Sequence, residues 1–298
     1  MRPSVTVQIP ASTANLGPGF DCLGLALSLY NTVTLAPADA TEVAVTGEGA
    51  GRLPADESNL VLRAAAALAA RAGVSVPGWR LHQHNDIPLC RGLGSSSAAI
   101  VGGIVAADRL LELDTPAAEL LDLAAELEGH PDNVAPALYG GLTVCAAEEG
   151  RVLCVAGPAP ADLHIAAVIP DFEVSTEEAR GVLPTQYSRE DTVYNLSHAC
   201  LTLAALQQGR YDLLGRAMRD RVHQPHRVGL VPGMAEVIER ALLLGAQAAA
   251  LSGSGPTVAC FADREVPGLA EAVTAGFARQ GLLTRVLWLR PSAGALEL

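Results

Sequence analysis

Two glycines and three serines stand within six positions, Gly92-Leu93-Gly94-Ser95-Ser96-Ser97, inside the longer run that opens with Pro88-Leu89-Cys90-Arg91 and closes with Ala98-Ala99. Residues without a Cβ can take positive φ and bring the backbone close to a ligand, and the serine run offers a cap for the Ala/Gly/Ile/Val-rich segment behind it. Orphan N–H groups and the positive end of a helix dipole would then meet an anion, so the stretch reads as a phosphate cradle. Glycine and serine clusters also form plain turns. The run fits neither the G-x-x-x-x-G-K-[ST] loop nor G-x-G-x-x-G, and all twenty basic residues are arginine. With no lysine in the chain, any nucleotide phosphate must be held by backbone amides, Mg²⁺ and arginine.

Other chemistry-bearing groups flank this run. Residues 10–21 form a loop of small residues that carries Asn15 and Asp21 among glycines and prolines, where an amide and a carboxylate either aim at a ligand or cap turns. A helix over 115–127 runs into Glu126-Leu127-Glu128-Gly129-His130-Pro131-Asp132-Asn133, a polar crowd followed at once by apolar residues. Glutamates two apart point in different directions on a helix, so at most one of Glu126 and Glu128 faces a site, and Glu128 suits a solvated terminus. His82 and His84 share one face of a strand but have no third metal ligand nearby, which favours ordinary surface histidines.

The elements that must position these groups follow from periodicity. Alternation predicts strands at 4–9, 29–35, 42–46 and 79–85, the last delivering the chain into the cradle, with a helix at 59–72 closed by Gly73. Strands at 142–146 and 151–155 precede Gly157-Pro158-Ala159-Pro160, which is read as a linker between domains spanning 1–157 and 158–298. Beyond it come a strand at 163–169, a capped helix that starts at Ser175 and carries Arg180, helices at 193–207, 211–221, 234–244 and 266–280, and strands around a second glycine-rich turn, Ser252-Gly253-Ser254-Gly255-Pro256. This is an α+β pattern with helices against an antiparallel sheet.

A chain of 298 residues with half its residues hydrophobic and 17% charged buries a substantial core. The net charge of −12, without a basic cluster, argues against nucleic acid and anionic membranes as partners while allowing an anionic small molecule. No signal peptide is visible at the amino terminus, and six scattered cysteines without a C-x-x-C pair read as reduced residues of a cytoplasmic protein.

The early loop, the cradle and the late glycine-rich turn, in that order and spacing, resemble the three motifs of the superfamily of galactokinases, homoserine kinases, mevalonate kinases and phosphomevalonate kinases (GHMP kinases). Ala14-Asn15-Leu16-Gly17-Pro18-Gly19-Phe20-Asp21 and His130-Pro131-Asp132-Asn133-Val134-Ala135-Pro136 are similar to its homoserine kinase branch. The resemblance covers nearly the whole chain. It implies a two-domain fold, with a left-handed βαβ-containing, ribosomal-protein-like amino-terminal domain and a ferredoxin-like carboxy-terminal domain, and it allows a homodimer. The implied reaction is phosphorylation of the L-homoserine hydroxyl by ATP, a step toward threonine.

The same resemblance puts the nucleotide phosphates on residues 88–98 and Mg²⁺ on Ser96 and Glu126. It assigns the substrate to Asn15, Asp21, His130, Asp132, Thr176, Arg180 and Arg227, with Gly253 close by. Those types suit a zwitterion: its ammonium matches carboxylates such as Asp21 or Asp132, and its carboxylate matches the guanidinium forks of Arg180 and Arg227. Asn15 would orient the hydroxyl. Asn133 stands where several relatives carry a catalytic aspartate, so catalysis without a dedicated base is expected, with Asp132 as the alternative base. A kinase of this superfamily acting on mevalonate or a sugar alcohol, and a non-catalytic sensor of the same fold, are the competing readings.

Overall fold

The computed structural model describes residues 1–298. In chain order its elements are β1 (Val5–Ala14), β2 (Leu23–Ala38), β3 (Glu42–Gly47), α1 (Leu60–Arg71), β4 (Gly78–Asn85), α2 (Ser95–Leu111), α3 (Ala117–Glu128) and α4 (Pro131–Tyr139). Next come β5 (Leu142–Glu148), β6 (Arg151–Gly157), β7 (His164–Pro170), α5 (Thr176–Gly181), α6 (Arg189–Gln207), α7 (Tyr211–Ala217) and α8 (Gln224–Arg227). The chain closes with α9 (Met234–Leu243), β8 (Ala248–Leu251), β9 (Val258–Ala262), α10 (Leu269–Ala278), β10 (Thr284–Leu289) and β11 (Leu296–Glu297).

Two expectations change. The segment from residue 10 to 14 is not loop: a register shift between Pro10 and Ala11 lets β1 keep pairing with β2 as far as Ala14 opposite Gly24. Proline has no N–H to give the ladder, and a bulge is where a strand tolerates it. The polar group after α3 is likewise not a turn. Gly129, at φ +92°, ends α3, and the chain starts again as α4 with Pro131 in the first helical turn, where its missing N–H costs nothing. Asp132 and Asn133 therefore sit on a helix.

The first sheet runs β11-β1-β2-β4-β3, with β5 also paired to β2 and β6 to β5; β3 and β4 are parallel neighbours and the other pairings are antiparallel. The second sheet runs β10-β7-β9-β8, all antiparallel, which is the 4-1-3-2 order of a ferredoxin-like layer. The carboxy-terminal strand β11 returns to β1, so the last residues belong to the first sheet although they follow the second.

β7 joins the two layers. Its alternate residues Ile165, Ala167 and Ile169 belong to the larger core, and Ala166 and Val168 to a smaller core formed with α9, α10 and the second sheet. Both faces being covered explains its continuous apolar run.

α2 is the pillar under the cradle. Its glycines admit neighbours on two sides: a Cβ on Gly102 would stand 2.9 Å from Ile9 Cδ1 and 3.0 Å from Val33 Cγ2, and one on Gly103 would be driven into the carbonyl oxygen of Val61 on α1. Gly103→Ala should overpack this contact at a cost of about 1–3 kcal/mol and lower Tm by several degrees. An unchanged melting curve would contradict the close approach of α1 and α2.

Candidate active site

One pocket, with a cavity volume of about 420 Å³, gathers residues from every segment singled out above. Asn15, Asp21, His130, Asp132, Asn133, Thr176, Arg180, Arg227 and Gly253 all line it. From the 88–98 run, residues 89–92 and 94–96 line it, whereas Leu93, Ser97 and Ala98 are buried beneath and Pro88 faces a separate groove.

The cradle differs from expectation in its cap. Gly94, at φ +71°, is the N-cap of α2 and supplies no side chain, so the serines occupy the first turn. Their N–H groups have no backbone acceptor, Ala98 being the first to bond back, to Gly94 O at 2.8 Å. Their hydroxyls turn elsewhere. Ser96 Oγ and Ser97 Oγ each donate to Glu128 Oε1 at 2.7 Å, and Ser95 Oγ donates to Ile87 O at 3.4 Å.

Glu126 does not reach this site. It pairs with Arg71 on the outer surface, its side chain 67% exposed. The reason is helical register: Glu128 stands four residues after Ala124 and seven after Leu121, both buried, and so continues the inward stripe of α3, while Glu126 follows Asp122 and Glu119 on the outward one. That signal was present in the sequence.

Beside the cradle, Asp132 and His130 form a tight pair, Nδ1 to Oδ1 at 2.6 Å, with both side chains largely buried. Burial disfavours the charged imidazole, but the hydrogen bond and the charge of Asp132 outweigh it, and His130 titrates above its ordinary value. Asp132 Oδ2 has no protein hydrogen bond. Asn133 turns its carbonyl to Ser12, whose Oγ donates at 2.9 Å, and so buttresses the floor of the cradle.

At the opposite end, Arg180 grips Asp21 through both amino groups, at 3.0 and 2.7 Å. The two groups expected to hold opposite ends of a substrate hold each other. Arg227 is 2% exposed and more constrained: Nε donates to Ala179 O at 3.0 Å, and Nη1 donates to Gly253 O at 3.0 Å and to His223 Nδ1 at 3.2 Å. Three of its five N–H bonds are thus engaged. Only Nη2 remains for a ligand, so the bidentate fork expected of Arg227 is already occupied by protein. Asn15, left-handed at φ +70°, donates to Gly253 O at 3.0 Å and accepts from Asp21 N at 3.1 Å, keeping one N–H and one lone pair for a ligand.

Sequence reasoning passed over several lining residues. Leu53, Pro54, Ser58, Asn59, Leu60, Arg63 and Gln83 form a wall beyond the cradle. Asn59, expected as the first residue of a helix, is the N-cap of α1 and accepts from Val61 N at 2.9 Å. Phe20 lies under both Arg180 and Arg227, its ring centroid 5.5 and 5.4 Å from their Cζ atoms. A lone aromatic between Gly19 and Asp21 was the available signal.

The amino-terminal domain model of the GHMP kinases matches residues 59–141, and the carboxy-terminal model matches residues 202–279. A homoserine kinase from Moorella thermoacetica is 46% identical over 285 residues, 96% of either chain, and one from Deinococcus radiodurans is 52% identical over 259 residues, 87% of this chain and 84% of that one. The chain belongs to the homoserine kinase family of the GHMP kinases. The crystal structure of homoserine kinase from Cytophaga hutchinsonii superposes with a TM-score of 0.90 at 31% identity, covering 100% of this chain and 98% of that one. Likeness to an L. major mevalonate kinase, at TM-score 0.70 and 17% identity over 96% of each chain, shows that the fold itself is shared more widely.

The His130–Asp132 pair sets a pH dependence. Because the folded-state pKa of His130 is raised, its contribution to stability is fully present below the unfolded value of about 6.5 and is lost as pH rises through the folded value. His130→Asn should abolish that alkaline decline in a series of Tm measurements from pH 5.5 to 9. A parallel decline in the variant would assign it to another group.

Proposed function

We infer that this protein transfers the γ-phosphoryl group of ATP to the hydroxyl of L-homoserine, giving O-phospho-L-homoserine and ADP, a step that leads toward threonine. Similarity to homoserine kinases over nearly the whole chain supports the activity. The observation that carries the substrate is the Arg180–Asp21 pair beside Arg227. A zwitterionic amino acid opens that pair and replaces it group for group: its carboxylate takes Arg180 and Nη2 of Arg227, and its ammonium takes Asp21 or Asp132. Two ion pairs succeed one, and the net charge of the pocket is unchanged. Mevalonate, with no ammonium, and a sugar, with neither charge, would leave acidic groups uncompensated.

The triphosphate lies along residues 89–96, its oxygens toward the free N–H groups of the serine turn, with the base against the wall formed by Leu53, Pro54, Asn59 and Gln83. Glu128 and the hydroxyl of Ser96 are hard oxygen donors already within hydrogen-bonding reach of one another, a set that suits Mg²⁺, which takes one or two protein oxygens and completes its shell with water and phosphate. Mg²⁺ bound there supplies charge neutralisation on the β and γ phosphates. Asn15 directs the substrate hydroxyl toward the γ-phosphorus. The new O–P bond forms as the bond to the β-phosphate oxygen breaks, and the hydroxyl proton leaves late, to a phosphoryl oxygen, because a loose transition state needs alignment more than an activated nucleophile. Asp132, paired with a His130 inclined to carry charge, acts as an ammonium ligand. The reading carries with it a cytoplasmic enzyme with six reduced cysteines, all free thiols here.

A coupled ADP-release assay with homoserine, mevalonate and galactose side by side should show turnover with homoserine alone; equal turnover of mevalonate would overturn the substrate. Glu128→Gln should lower kcat by about 100-fold or more, with a higher Mg²⁺ requirement, while Glu126→Gln stays within about twofold of the parent. The reverse result would return the metal to Glu126. Arg180→Lys should lower kcat/KM for homoserine by roughly tens-fold, since an ammonium does not reproduce the fork. Parental kinetics in that variant would remove Arg180 from substrate binding.

A further inference from the structure

His223 is fully buried, stands outside the pocket lining, and touches both halves of the substrate end. Its Nε2 lies 2.7 Å from Gly17 O, in the loop that runs from Asn15 to Asp21, and its Nδ1 lies 3.2 Å from Arg227 Nη1. A carbonyl can only accept and a guanidinium can only donate, so these two neighbours require a ring that donates at Nε2 and accepts at Nδ1. Phe20, the aromatic under Arg180 and Arg227, stacks on the imidazole at 5.3 Å between centroids and 26° between planes. The Asp220 carboxylate stands 3.6 Å from Nε2 but is already shared among Asn195 and the N–H groups of Val222, His223 and Gln224.

We propose that His223, fixed as the neutral Nε2–H tautomer between Gly17 and Arg227, is the positioning residue that aims the free amino group of Arg227 at the substrate carboxylate. The inference rests on the reading of Arg227 as a carboxylate ligand. A guanidinium is planar and rigid, so engaging three of its N–H bonds fixes the direction of the remaining two. Ala179 takes the Nε proton on one side of the guanidinium, Gly253 takes one proton of Nη1 on another, and His223 takes the other proton of Nη1. Without that acceptor the plane can rotate about the Ala179 and Gly253 contacts, or Nη1 must leave a proton buried and unpaired. A protonated ring would set an Nδ1–H against the arginine N–H. Burial opposes this by pushing the pKa of His223 below its ordinary value, and the cation of Arg227 acts in the same sense, against the opposite pull of Asp220 and Asp21. The same ring ties the loop bearing Asp21 to the helix bearing Arg227, so the two charges that receive the zwitterion share one support.

The first test needs no substrate. ¹⁵N NMR of histidine-labelled parent protein at pH 7.5 should show His223 as the Nε2–H tautomer with an unprotonated Nδ1; an Nδ1–H tautomer or an imidazolium overturns the proposal. The second test is kinetic. His223→Gln retains an amide donor toward Gly17 but withdraws the acceptor at Nδ1, and should raise KM for homoserine by about tenfold while KM for ATP stays within about twofold. His223→Asn places an amide oxygen near the Nδ1 position and should restore most of the homoserine KM. Unchanged homoserine KM in His223→Gln, or equal increases in both KM values, overturns it. If either variant fails to fold by circular dichroism, the tautomer measured in the parent decides. Parent protein that shows the expected tautomer yet does not turn over homoserine defeats the substrate reading and leaves the role of the ring intact.

Discussion

The peptide of Gly253 is the contact through which the site is assembled. Its carbonyl oxygen accepts from Asn15 Nδ2 and from Arg227 Nη1, each at 3.0 Å, and its N–H donates to Ala14 O at 3.3 Å. One residue earlier, Ser252 Oγ is 2.6 Å from Gly92 O and 2.8 Å from Thr13 Oγ1. The end of β1, the cradle, the helix α8 and the late turn therefore meet within two residues. These groups are buried, so each must be paired, and the pairing leaves little freedom to the arrangement. A Cβ on Gly92 would be driven into the carbonyl oxygen of Ser252, so the cradle glycine is required by the packing of the two turns as much as by any ligand.

A second strap lies on the opposite side of the cradle. Glu173 takes Arg52 at 2.9 Å and Arg91 at 3.4 Å, and Val174 N donates to Cys90 O at 3.4 Å. The segment that starts α5 is thus tied to the loop that would hold phosphate, and α5 carries Thr176 and Arg180. Ion pairs with exposed members contribute little to stability, so their weight lies in register. Phosphate end and amino-acid end are set by shared connections.

Most elements were legible from periodicity, because amphipathic helices such as α1 and alternating strands such as β4 bury one face and expose the other. Legibility failed where tertiary packing overruled the local pattern. Residues 10–14 look like loop, but β2 continues alongside them and a bulge absorbs Pro10. Four residues from Gln224 to Arg227 carry too little pattern to announce a helix, yet they place Arg227. In the pocket, residue types were readable and pairings were not: Asp21 and Arg180 were each recognisable as charges for a zwitterion, while their contact across 159 positions is a product of the fold. Glu128 was different in kind. The inward stripe of α3 pointed to it, and a spacing borrowed from relatives pointed to its neighbour.

The strand β11 gives the chain an order of assembly. β1 precedes β11 by nearly the whole described chain, and its edge away from β2 is paired with β11 at Val7 and Gln8 and bonded from Leu298 N to Thr6 O. Until β11 has been synthesised, that stretch of edge is open to solvent and to chaperones. The first sheet is completed only after the elements of the second have been made, and a chain cut before Leu296 carries an unsealed stretch of edge however well the rest has folded.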